Sequence, residues 1–266
     1  MNLNDLYVKI RRATAHILVL QDGEKISEGS GFCFLPTGEV LTAAHTIAGG
    51  FPVRDREVDS PNRRIVVRLF EQNIDMIYKP AVCPIQISFQ SLSIKPLQLD
   101  IAIIVPAESS PQTKFEHLVA DTNPVLLGDE MYFGGYSDEV KFPFAFDRNI
   151  DSAVEGMDAF RRQFGHGIKR LMAGPMIKHG TVGNVVLATA GFGGADLLNV
   201  TAFYLDNQIH SGASGGPIVS RQGRAKGIIL SRSLTTAGQE DGANLQVPSG
   251  STWGISLDVL KTLQKK

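Results

Sequence analysis

Leu3, Leu6, Tyr7 and Ile10 recur at helical spacing, which predicts a short helix over residues 3–12. From there the period changes. Short apolar runs separated by Gly, Pro and Asp predict strands over residues 13–20, 26–35 and 40–41, with Asp22-Gly23 and Pro36-Thr37-Gly38 as the turns between them. Residues 49–62 read as a loop, followed by strands at about 64–70, 82–89 and 100–105. Pro106 and the polar run to Thr113 then predict a connection between two halves. The second half predicts strands at 131–135, 181–190, 199–205, 217–220, 225–231 and 252–256, and an apolar-periodic helix over about 256–264. Many short strands with such punctuation mark an all-β barrel or sandwich, and no repeat of solenoid period competes with it.

One segment departs from that pattern. Between Ser137 and Met176 lie Phe142-Pro143-Phe144-Ala145-Phe146 and then a helix signal. Ser152 and Glu155 are spaced as a capping box, Val154, Met157, Phe160 and Phe164 share one face, and Gly165 is the stop. A helical insertion over about 138–176 is therefore expected, either packed on the second half or serving as a lid or exosite.

Composition narrows the class of protein. A chain of 266 residues with 43% hydrophobic and 20% charged content is long enough for one large or two small domains and has a globular balance. Its net charge of -1 argues against binding nucleic acid through phosphate contacts. No stretch reaches the roughly 18 uninterrupted apolar residues of a membrane span. The start, Met1 to Leu6, lacks the basic and apolar regions of a secretory signal. Cys33 and Cys83 are the two cysteines, read as reduced, with Cys33 packed between Phe32 and Phe34. These features predict a cytoplasmic protein with no nucleic-acid or membrane partner.

Candidate chemistry centres on Gly212-Ala213-Ser214-Gly215-Gly216-Pro217. Glycines on both sides of a serine let a substrate carbonyl approach its Oγ and let the turn take unusual dihedrals. The amides of Gly212 and Ser214 could converge on one oxyanion. Upstream, Thr42-Ala43-Ala44-His45 follows an apolar strand and Asp100 heads the run Ile101 to Val105. His45, Asp100 and Ser214 thus stand in an order that suits base, orienting carboxylate and nucleophile. Asp75 is the rival carboxylate, and His210 reads as a pocket-wall or surface residue. The G-x-S-x-G pattern also occurs in α/β-hydrolases, but that fold needs a histidine after the serine and none follows His210.

Gly29-Ser30-Gly31-Phe32, Leu41-Thr42-Ala43-Ala44-His45, Asp100-Ile101-Ala102, Gly128-Asp129-Glu130 and the Ser214 hexapeptide together resemble the trypsin-like serine peptidases, with bacterial cytosolic and high-temperature-requirement types the most similar. Trp253-Gly254-Ile255-Ser256-Leu257-Asp258 resembles the strand leading into the closing helix of those domains. The resemblance implies a chymotrypsin-like fold of two six-stranded antiparallel Greek-key barrels. Residues 1–110 would carry His45 and Asp100, and residues 111–266 would carry Ser214, the insertion and the closing helix. It further implies a serine endopeptidase acting on protein or peptide substrates, without metal or cofactor, with Gly212 and Ser214 as the oxyanion hole. Gln208 and Ile209 would lie at the base of the primary pocket, and Leu230, Ser231 and Arg232 would pair with substrate.

Two departures from secreted relatives matter. Thr46 stands where those proteins have a cysteine after the histidine. Ala213 stands where they have the aspartate that receives a new N-terminal amine. Activation by that route is not expected. Activity would be constitutive or gated by loops or an activating partner protein, and a catalytically silent binding module of the same fold is the alternative.

Overall fold

The computed structural model describes residues 1–54, 58, 60–70, 75–87, 96–108, 114–137, 174–192, 195–237 and 245–261. Helix α1 (Leu3–Ala13) opens the chain, capped by Asn2, whose side chain accepts from the Asp5 amide. It buries Leu6, Ile10 and Ala13, the inward part of the apolar stripe seen in the sequence.

Fourteen strands are described: β1 (Thr14–Gln21), β2 (Glu24–Cys33), β3 (Val40–Thr42), β4 (Arg63–Leu69), β5 (Met76–Val82), β6 (Ile85–Ile87), β7 (Leu97–Leu99), β8 (Ala102–Pro106), β9 (Glu130–Gly135), β10 (Met176–Phe192), β11 (Ala195–Leu205), β12 (Pro217–Ser220), β13 (Ala225–Ala237) and β14 (Leu245–Ser256). One closed barrel runs β1-β2-β3-β8-β5-β4 and the other β10-β11-β14-β13-β12-β9, while β6 and β7 form a separate pair. All the pairings within the barrels are antiparallel. Counted around each barrel from its own first strand, both follow the order one, two, three, six, five, four, so the same Greek key is used twice. The fold is the chymotrypsin-like double barrel.

Alternation fills each barrel. Ala15, Ile17 and Val19 of β1 face Ile65, Val67 and Leu69 of β4 in the first interior, together with Cys33, Val40 and Ile104. Burial pushes the Cys33 thiol up to about 12, which makes it an inert packing group. Met131, Phe133, Phe203, Leu205, Ile218 and Ile229 fill the second interior. The largest cluster lies between the barrels, where Phe32, Leu41 and Ile101 from one meet Tyr132, Ile228 and Leu257 from the other, with Leu6 and Ile10 of α1 beside them.

The connection between the barrels is tied to both. Its Phe115 and Leu118 amides donate to Pro36 and Cys33 carbonyls, and its Asp121 amide donates to Ala225. Buried Lys226 meets the Asp121 carboxylate at 3.3 Å and donates to the Asn123 and Pro124 carbonyls. A buried ammonium with this many acceptors has its donors met and fixes the crossing.

Several expectations shift in detail. Of the strand expected over 82–89 only β6 (Ile85–Ile87) forms, after Cys83-Pro84, with residues 88–90 outside the described set, and β5 and β7 are not among the expected strands. At the C-terminus Leu257–Val259 form a 3-10 helix, and residues 262–266 lie outside the described set. Nearly all of the expected insertion, including Ser152, Glu155 and the face from Val154 to Phe164, also lies outside it. Among the described residues no helix is long and apolar enough to cross a membrane.

Candidate active site

His45 sits on α2 (Ala44–Ala48), a short helix that leaves β3 and stops at Gly49, whose amide donates to the His45 carbonyl at 2.8 Å. The register of β3 on β8 pairs Thr42 with Ala102, which brings residues just after β3 against those just before β8. Asp100 is therefore beside His45. One carboxylate oxygen accepts from the His45 amide at 2.9 Å and the other meets His45 Nδ1 at 2.7 Å. A carboxylate accepts only, so this contact places a hydrogen on Nδ1, and in the neutral imidazole that tautomer keeps the lone pair on Nε2. The imidazole is 29% exposed and the carboxylate 14%, so the pair is shielded yet reachable. Asp75, the rival carboxylate, instead forms a two-point ion pair with Arg68 at the surface.

Ser214 comes from the second barrel, in the turn before β12, which is wedged against the first. Gly212 has φ of 85° and so does Gly215. At Gly215 an added Cβ would lie 2.2 Å from the Ser30 carbonyl oxygen, and at Gly216 one would lie 2.1 Å from the Gly134 carbonyl oxygen. Backbone stands where side chains would be, so the glycines are required by close approach. Ala213 is fully buried against Gly135, with an apolar methyl where a carboxylate would need a cation.

The Ser214 hydroxyl donates to the Leu230 carbonyl at 2.9 Å. Among the described residues it makes no hydrogen bond to His45. His45 and Asp100 are thus joined, and the serine is directed to β13. Among the described residues no protein group accepts from the amides of Gly212 and Ser214.

The remaining expected site residues fall around this turn. Gln208 is half-buried, and its carbonyl accepts from Lys178 on β10. Ile209 is buried in the second barrel's interior, and its amide donates to Thr252 Oγ1 at 2.7 Å while that hydroxyl donates to the Asn207 carbonyl at 2.8 Å. Leu230 is buried, Ser231 is exposed and accepts from Trp253 Nε1, and Arg232 is half-buried opposite Thr252. Half-buried His210 has its Nδ1 beside the Ser211 carbonyl at 3.2 Å. Lys178 and Thr252 were not among the sequence candidates, because their partners are backbone carbonyls and amides that no motif reveals. Among the described residues no group of three or more His, Cys, Asp or Glu could hold a metal ion.

Thr46 fills the space beside Gly29, where an added Cβ would lie 2.6 Å from the threonine methyl. Packing thus replaces a cross-link at this point.

The sequence pattern of the trypsin-like peptidase domain matches residues 29–228. No curated protein matches in sequence. Among solved structures, the MamO protease domain from Magnetospirillum magneticum is similar over 98% of this chain and 98% of its own, with 15% identity and a TM-score of 0.51. The Rv3671c protease from M. tuberculosis in its active form is similar over 98% of this chain and 84% of its own, with 15% identity and a TM-score of 0.51. An inactive form of the Rv3671c protease gives 14% identity and a TM-score of 0.53 over 98% of this chain and 92% of that one. At these identities the structures speak for the fold, and the domain match, which spans most of the chain, speaks for descent: this protein belongs to the trypsin-like peptidase family.

Proposed function

We propose that this protein is a serine endopeptidase that hydrolyses peptide bonds in protein or peptide substrates through His45, Asp100 and Ser214, without metal or organic cofactor. The observation that carries this reading is the double contact of Asp100 with the amide and Nδ1 of His45, on a segment whose preceding residues Thr42 and Ala43 pack against Gly215 of the glycine-flanked serine turn from the other barrel. In the proposed reaction His45 Nε2 takes the Ser214 proton as Oγ bonds to the scissile carbonyl carbon. The C–N bond then breaks, and the same proton passes to the leaving amine. Water attacks the resulting acyl-enzyme by the reverse sequence. The amides of Gly212 and Ser214 would hold the oxyanion, each worth about 3 kcal/mol in comparable sites. Gln208 and Ile209 would shape the pocket end, and Leu230, Ser231 and Arg232 the edge along which substrate lies. The proposal carries a cytoplasmic location, in keeping with the absence of a disulfide at Cys33 and Cys83 among the described residues.

A partner-gated or silent module is the second reading. It is favoured by the Ser214 hydroxyl donating to Leu230 rather than to His45. Hydrolysis of labelled casein separates the two. The first reading predicts turnover that disappears in Ser214→Ala, and no turnover by the native protein would favour the second.

A further inference from the structure

We propose that Ser30 is a positioning residue for the nucleophile turn, holding it from the neighbouring barrel in the orientation its two amides need to face an oxyanion; the inference rests on the protease reading above. Ser30 is fully buried at the seam between the barrels, and each of its polar groups is engaged. Its Oγ donates to the Gly212 carbonyl at 2.8 Å and accepts from the Tyr136 amide at 2.8 Å. Its own amide donates to the Ser214 carbonyl at 2.8 Å, and its carbonyl accepts from Thr42 Oγ1 at 2.6 Å.

The direction of the first contact is forced. A hydroxyl has one hydrogen, and because the Tyr136 amide can only donate, that hydrogen is free for the Gly212 carbonyl. Three successive peptide planes are each held by a hydrogen bond, the outer two by Ser30. Ser30 Oγ holds the plane joining Gly212 to Ala213, the Gly216 amide holds the next by donating to the Ala213 carbonyl at 2.9 Å, and the Ser30 amide holds the third at Ser214. The Ser214 amide lies in the middle plane, between the two that Ser30 holds, and the Gly212 amide lies in the plane that adjoins the first, so Ser30 acts on both through their neighbours.

The arrangement answers the absence of a carboxylate at Ala213. In secreted relatives the turn waits for a new chain end to reach that carboxylate. Here the anchor is a hydroxyl already built into β2, which needs no cleavage event. The sequence placed Ser30 in a glycine-flanked strand motif without showing this role, because Gly212 and Tyr136 lie 182 and 106 residues away.

The test compares the native protein with Ser30→Ala, and with Ser30→Cys, which keeps the volume but offers only a weak donor. Hydrogen exchange of peptides spanning residues 210–217 reads the turn whether or not the protein cleaves anything, while kcat and KM on a peptide substrate read catalysis. Both variants are expected to exchange at least about tenfold faster in that segment alone, and to lose about 10- to 100-fold in kcat with KM nearly unchanged. Unchanged exchange in Ser30→Cys would overturn the proposal, as would faster exchange with full kcat. If the native protein shows no turnover, the protease reading fails and the exchange result still decides whether Ser30 positions the turn.

Discussion

At the scale of single residues the site depends on where atoms are missing. Gly216 leaves no room for a Cβ beside the Gly134 carbonyl, whereas Gly49, with φ of 87°, faces open space. Gly49→Ala is therefore expected to cost only the left-handed backbone term, about 1 kcal/mol. Gly216→Ala must displace the seam between turn and barrel and is expected to cost at least about 2 kcal/mol. Urea denaturation of the two variants checks this, and equal losses would contradict the close approach. His45, Asp100 and Ser214 stand out in the sequence as candidates because His45 and Asp100 flank apolar runs and Ser214 has glycines on both sides. The apolar run after Asp100 already favours it over Asp75, and the β3–β8 register, which pairs Thr42 with Ala102, sets it beside His45 while Asp75 pairs with Arg68. Ser30 was visible as part of a glycine-flanked motif, but not its hold on the turn, since Gly212, Ser214 and Tyr136 come from the other half of the chain.

At the scale of elements, the period of the sequence was readable wherever one face is buried. The α1 stripe and the β1 alternation are of this kind. Helix α2 has five residues, too few for a helical period to register, and it went unseen. The outer parts of β13 and β14 extend beyond the predicted spans for another reason. Leu234 is 53% exposed, so this ribbon stands in solvent and shows no alternation of apolar and polar positions. Within the first barrel, β1 and β2 are cross-linked by His16 and Glu28, whose Nε2 and Oε1 lie 2.7 Å apart, with Lys25 on the same carboxylate. The His16 contact lowers the Glu28 pKa from 4.5 to about 2, against the opposing effect of burial. A carboxyl depressed on folding stabilises the native state above its unfolded pKa, and that contribution disappears as pH falls through the folded value. Glu28→Gln is expected to cost about 1 kcal/mol at pH 5.5, a figure already reduced for screening at a partly exposed pair. The difference from the native protein should shrink below pH 4.5 and be gone near pH 2. Urea denaturation at the two ends of that window measures it, and a constant gap would show that Glu28 acts by packing.

At the scale of the whole molecule, two barrels of one topology meet along an apolar seam, and the candidate site lies on it. His45 and Asp100 come from the first barrel and Ser214 from the second, so the proposed chemistry requires both to be docked. Helix α1, the Lys226 anchor and Ser30 all act on that docking. The double-barrel class was legible in the sequence from strand count and motif order. The seam was not, because its residues belong to several strands and have no common period. The account's central claim is that this seam holds an assembled nucleophile. The most direct test is the intact mass of the native protein, Ser214→Ala and His45→Ala after exposure to a fluorophosphonate. One phosphonyl adduct on the native protein, located at Ser214 and missing from both variants, is the predicted result. A native protein that takes up no adduct, or an adduct that persists in Ser214→Ala, would contradict it.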